Sequence, residues 1–131
     1  MQKKIYYHDT DSGGVVYYAN YLKFLEEART EAMKEIGLEI RTLVRKGIQF
    51  VVRRQEIDYK SPAFYGDTLN VETWISAISA AQLTFEASVK NQEGLLLSSA
   101  KTFLVCVDSK LKPQAIPQEL KDNLRKLEKA Q

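Results

Sequence analysis

Two carboxylates and a pair of glycines fall within six residues near the N-terminus, Asp9-Thr10-Asp11-Ser12-Gly13-Gly14, shortly before an apolar-periodic segment that begins at Asn20. An aspartate is ionised at neutral pH and can serve as a nucleophile or a general base. Glycines permit positive φ and close backbone approach, and a helix that follows offers unpaired N–H groups carrying about half a positive charge. Asp, Ser and Gly-Gly are each ordinary turn residues. Taken together they place a base or nucleophile beside an oxyanion site, a combination suited to acyl transfer.

The elements around this loop follow from periodicity. Lys3 to Asp9, with Ile5, Tyr6 and Tyr7, reads as a short strand running into the turn. From Asn20 to Ile36 apolar residues recur at helical spacing and Gly37 supplies a stop. Tyr21, Leu25, Ala28 and Ala32 form one row of that helix, and Leu22, Arg29, Met33 and Ile36 a neighbouring one. So broad an arc predicts that most of the circumference is covered, with a sheet as the cover. Glu39 to Lys46 predicts one or two further helical turns before Gly47.

Beyond Gly47 the period becomes two. Strands are predicted over Phe50 to Tyr59, ending at Ser61-Pro62, then over Leu69 to Ile78, Leu83 to Lys90 and Leu95 to Asp108. The last is too long and apolar to be an edge. Strands of this length must curl around the helix or extend into a partner. Gln118 to Gln131, with Leu120, Leu124 and Leu127 on one face, predicts a terminal surface helix entered after Pro117. The order is strand, buried helix, four antiparallel strands and a terminal helix, which is an α+β architecture in a single domain over residues 1–131.

Composition removes other classes. Nineteen Lys+Arg against 17 Asp+Glu leave a formal charge of +2, too little to imply nucleic acid as a partner. The one cysteine, Cys106, allows neither an intrachain disulfide nor a cysteine zinc cluster and fits a cytoplasmic protein. No run approaches the ~20 apolar residues that span a bilayer, and the N-terminus lacks an apolar leader, so neither a membrane span nor export is expected.

The run HDTDSGGVVYYANYLKFLEEARTE resembles the signature of hotdog-fold enzymes of the 4-hydroxybenzoyl-CoA thioesterase class, and most closely the bacterial acyl-CoA thioesterases associated with the Tol–Pal gene cluster. The match is specific over residues 5–32, and the strand pattern with the turn Ser61-Pro62-Ala63-Phe64-Tyr65-Gly66-Asp67 extends it over nearly the whole chain. The resemblance implies a curved antiparallel sheet of about five strands wrapping a long central helix. It also implies sheets paired between two subunits, with acyl-CoA bound at the interface of a homodimer or homotetramer. The implied activity is hydrolysis of acyl-CoA, or of an acyl carrier protein thioester, with no cofactor and no metal.

Carried over by position, the family's catalytic aspartate falls on Asp11 and its backbone N–H oxyanion donor on Tyr18. The Tol–Pal-associated group usually has histidine at that second position, whereas the 4-hydroxybenzoyl-CoA enzymes tolerate an aromatic there. Tyr18 therefore bears on acyl preference more than on the reaction. Asn20 matches the asparagine of the motif and either caps the helix or braces the loop. The sequence leaves open whether Asp11 attacks the thioester or activates water.

Other ionisable residues have plainer readings. His8, the sole histidine, ends the first strand and has no companion ligands for a metal. Asp9 orients the loop. Glu26 and Glu27 are adjacent on the helix, about 100° apart, and are expected to be solvated or ion-paired. Arg53, Arg54, Lys60, Lys90 and Lys101 are candidates to meet the CoA phosphates. A hotdog module that binds acyl-CoA without hydrolysing it is the alternative, and retention of Asp11 argues against it. A hydratase or dehydratase needs a histidine in the cleft, where His8 does not stand.

Overall fold

The alternation read from residues 50–108 becomes a five-stranded antiparallel sheet in the computed structural model, which describes residues 1–129. The strands are β1 (Gln2–Lys4), β2 (Gln49–Tyr59), β3 (Thr68–Ile78), β4 (Gln82–Lys90) and β5 (Leu96–Val107), in the spatial order β1-β3-β4-β5-β2. As its length and apolarity required, β5 is interior, flanked by β4 and β2. The edges are the three-residue β1 and the eleven-residue β2.

The sheet curls, and register shifts mark where. They occur between Val52 and Arg54, between Ile75 and Ala77, and between Val89 and Lys90. Each inserts a residue that increases local twist, letting long strands wrap a shorter helix. That helix is α1, Asn20–Glu35. Tyr21, Phe24, Leu25 and Ala28 bury against Leu69, Val71, Ala87, Val89 and Leu97. A second cluster gathers Met33, Leu43, Phe85, Leu104, Leu120 and Leu124 at the other end of the sheet. Truncating a core residue such as Leu25 to alanine would cost roughly 2–5 kcal/mol. A long helix held in a curved antiparallel sheet is the hotdog arrangement.

Three expectations need correction. The helix is covered on one side only: Leu22 is 44% exposed, and Lys23, Glu26, Glu27 and Glu31 face outward. The first strand ends at Lys4, because Tyr7–Asp9 turns into a 3-10 helix in which the Asp9 carboxylate accepts the Tyr6 N–H at 2.9 Å and the Asp9 N–H returns to the Tyr6 carbonyl at 3.0 Å. Local bonding of this kind competes with a strand ladder. The terminal helix α3 runs Gln118–Leu124 and passes into a 3-10 turn at Arg125–Leu127, short of the expected 118–131. Glu128 is drawn into an extended bridge with Ile75 of β3, and the Lys129 ammonium sits 4.1 Å from the Trp74 ring centroid. The last two positions of that expected helix, 130 and 131, lie outside the described residues. Glu39 to Lys46 forms α2, Ile40–Arg45.

Candidate active site

The loop between β1 and α1 is a small hairpin closed by its own backbone. Thr10 bridges Val16, the Asp11 N–H donates to the Val15 carbonyl at 2.9 Å, and the Gly14 N–H donates to the Asp11 carbonyl at 3.0 Å. Of the two glycines only Gly14 adopts positive φ, at +82°. Gly13 serves the other purpose. Its N–H donates to Asp11 Oδ1 at 2.8 Å, and a Cβ built on it would stand 3.2 Å from that same oxygen. A side chain there would crowd the carboxylate. Asp11 is exposed, and its Oδ2 accepts no hydrogen bond among the described residues.

The loop docks through buried Val16, whose N–H donates to the Ala63 carbonyl at 2.9 Å, while Val15 bridges Phe64. The turn over residues 61–67 is thus the platform beneath the loop. One carbonyl then ties the loop to the helix: the Asp9 oxygen accepts from the Tyr17 N–H at 3.0 Å and from Asn20 Nδ2 at 2.9 Å. The helix N-cap is Ala19 and no side chain caps it, so Asn20 braces the loop and does not cap. The Asp9 side chain is buried within the turn and orients it.

Tyr18 stands two residues before Asn20, in the turn that leads into α1 ahead of the N-cap Ala19. Its N–H has no acceptor among the described residues, in keeping with the unpaired N–H groups of a helix terminus. Its carbonyl is held: Tyr59 at the end of β2 donates Oη to it at 3.0 Å. The Tyr18 and Tyr59 rings meet edge-on at 6.2 Å between centroids, and the Tyr17 and Tyr18 rings tilt together at 4.9 Å. The Tyr17 phenol is pushed above its ordinary value, chiefly by Tyr18 and in smaller part by the Asp11 carboxylate.

Asp11 in the loop, Tyr18 in the turn before α1 and Asn20 at its first residue thus lie on one continuous segment that the Asp9 carbonyl ties together. The remaining candidates fall elsewhere. His8 lies in the 3-10 turn instead of ending a strand; its side chain is exposed and Nε2 is 3.7 Å from Asp9 Oδ1. Glu27 pairs with Lys3 at 3.6 Å, and Glu26 is exposed farther along α1. Arg54 pairs with Glu56 at 3.7 Å, and Lys101 is flanked in register by Glu56 and Glu86. No three potential metal ligands cluster among the described residues, and no helix in them is long and apolar enough to cross a membrane.

Tyr59 is the residue that reading the chain missed. The signal was present: Gln55, Ile57 and Tyr59 share the face of β2 opposite Thr102, Ala100 and Ser98, which is the face turned to α1. That parity turns Tyr59 toward α1, where its ring meets Tyr18 and Tyr21.

Against known proteins, residues 6–124 match the family described as the thioesterase-like superfamily. The chain is 39% identical over 118 residues to an acyl-CoA thioester hydrolase YbgC of Escherichia coli O157:H7, covering 89% of this chain and 88% of the relative. It is 42% identical over 120 residues to the acyl-CoA thioesterase YbgC of Haemophilus influenzae, covering 90% and 88%. Among solved structures, a 1,4-dihydroxy-2-naphthoyl-CoA thioesterase from Synechocystis superposes with a TM-score of 0.88 at 26% identity, covering 97% of this chain and 95% of that one.

Proposed function

The chain belongs to the thioesterase-like superfamily, and from that premise we propose that it is an enzyme hydrolysing acyl-CoA to the free acid and thiol. The observation that carries the mechanism is the pairing of an exposed carboxylate, Asp11, with an N–H at the start of α1, on Tyr18, that is left without an acceptor among the described residues. Asp11 Oδ2 either attacks the thioester carbonyl, forming a mixed anhydride and expelling the CoA thiolate before water completes hydrolysis, or takes a proton from water that attacks in its place. In both routes the carbonyl oxygen becomes an oxyanion, and the Tyr18 N–H with the helix dipole behind it stabilises that charge. Asn20 keeps donor and carboxylate in register through the Asp9 carbonyl. None of these steps calls for a metal or cofactor.

The working unit in this reading is a homodimer or a homotetramer. Strand β2 offers an unpaired edge of eleven residues, with Val52 and Tyr59 about half exposed along it. Such an edge is satisfied by a second copy related by a two-fold axis. Antiparallel pairing sets the Asp11 loop of one protomer toward the far end of α1 in the other. Cytoplasmic residence fits the buried Cys106, whose thiol burial pushes up.

A panel of acyl-CoA esters of differing length and shape, with an acyl carrier protein thioester included, tests the reading by thiol release. Hydrolysis of at least one acyl-CoA is expected. Binding of every ester without thiol release would favour the non-catalytic module instead.

A further inference from the structure

Between the C-terminal half of α1, α2 and the strands β2, β4 and β5 lies a cavity of about 350 Å³. Its wall is apolar, built chiefly from Met33, Leu43, Val44, Phe50, Phe85 and Leu104. One cation interrupts it. Arg29 projects from α1 to line the cavity, and Nη1 donates to Thr102 Oγ1 at 3.3 Å, with Thr102 in turn donating to Gln55 Oε1 at 2.8 Å. A guanidinium carries five N–H donors, and no second hydrogen bond and no carboxylate within ion-pair distance engages Arg29 among the described residues. Glu26, the other ionisable residue of the lining, is exposed at the mouth.

A half-buried guanidinium with most of its donors idle, set in an apolar wall, is costly unless something fills it. Burial lowers its pKa against the opposing influence of Glu26. The planar fork matches carboxylate and phosphate geometry bidentately, and in a cavity filled by an acyl chain the group of the two that the chain carries at its end is a carboxylate. The volume, at ~30 Å³ per water-sized group, admits about a dozen non-hydrogen atoms.

We infer that this cavity receives the acyl group of a short substrate, and that Arg29 selects one whose far end carries a carboxylate, as in the monothioester of a short dicarboxylic acid. The inference rests on the thioesterase reading and on the paired arrangement. Eleven residues at ~1.5 Å each set Arg29 about 16 Å along α1 from Tyr18 of its own chain, whereas antiparallel pairing brings the partner's loop toward the cavity. The acyl chain then lies in one protomer with its thioester at the other's carboxylate.

The test compares adipoyl-CoA with hexanoyl-CoA, equal in carbon count and differing by the terminal carboxylate. Their non-hydrolysable dethia analogues, in which CH2 replaces sulfur, are titrated in parallel. The wild-type protein is expected to favour adipoyl-CoA by about tenfold or more in kcat/KM, with the same preference in analogue affinity. Arg29→Met should abolish both preferences, lowering kcat/KM for adipoyl-CoA about tenfold more than for hexanoyl-CoA. Should that variant not fold, Arg29→Lys keeps the charge, loses the fork, and is expected to cut the preference severalfold. Equal handling of the two esters and analogues by the wild type, or a preference unchanged in the variants, overturns the assignment. If neither ester is hydrolysed but the analogues bind with the Arg29-dependent preference, the thioesterase reading falls and the cavity assignment stands.

Discussion

The Tyr59 hydroxyl donates to the Tyr18 carbonyl at 3.0 Å, so the last residue of an edge strand holds the peptide at the entrance of the central helix. Burial raises the phenol above its ordinary value, and it remains a donor through the neutral range. Tyr59→Phe keeps the ring contacts with Tyr18 and Tyr21 and removes only the bond. We predict a fall in kcat of about tenfold with KM within about twofold, because a small displacement of the oxyanion donor is felt in the transition state and hardly in the ground state. A parallel rise in KM, or a lowered melting temperature that accounts for the loss, would assign Tyr59 to packing alone.

Asp11→Asn should leave the fold and CoA binding intact and lower turnover by about a hundredfold or more. Asp9→Asn should cost far less, since Asn20 and Tyr17 hold the Asp9 main-chain carbonyl and not its carboxylate. Near-wild-type hydrolysis by Asp11→Asn would move the search to Glu26 and Glu27.

At Tyr18 the main chain and the side chain can be separated. Tyr18→Phe preserves the N–H, and turnover is expected to fall by less than about tenfold. Tyr18→His should reorder the preferred acyl groups more than it alters the best rate, and Tyr18→Pro, which removes the donor, should silence a protein that still folds. A folded Tyr18→Phe enzyme that binds CoA yet loses a hundredfold in kcat would make the phenol the working group.

The free edge of β2 predicts a mass of at least two chains by light scattering at micromolar concentration, with specific activity falling on dilution in step with dissociation. A fully active monomer contradicts the shared site.

The helix over residues 20–35 and the four long strands were legible because each carries a burial period over many residues, and the interior place of β5 followed from its unbroken apolarity. Asp11, Tyr18 and Asn20 were singled out by the resemblance of HDTDSGGVVYYANYLKFLEEARTE to the thioesterase signature, whereas the residue types alone gave only a carboxylate and a glycine turn ahead of a helix. What escaped is set by specific bonds and contacts that no burial period records, some local and some distant in sequence. His8 had the look of a strand residue until the Asp9 carboxylate captured the Tyr6 N–H, and the terminal helix stopped early because Glu128 found β3. Leu22 was assigned to a covered face that one chain leaves open. The role of Gly13 lay in a distance to a carboxylate, a quantity no spacing rule conveys.

The Asp9 carbonyl accepts two hydrogen bonds, one from the Tyr17 backbone and one from the Asn20 side chain, and it sits two residues before Asp11. That single oxygen acts as a pivot common to the loop and the helix entrance. A displacement of the helix entrance is thereby expected to carry the loop with it. In the proposed mechanism, a substrate reaching the exposed loop then meets a carboxylate and a helix entrance already joined through one main-chain oxygen.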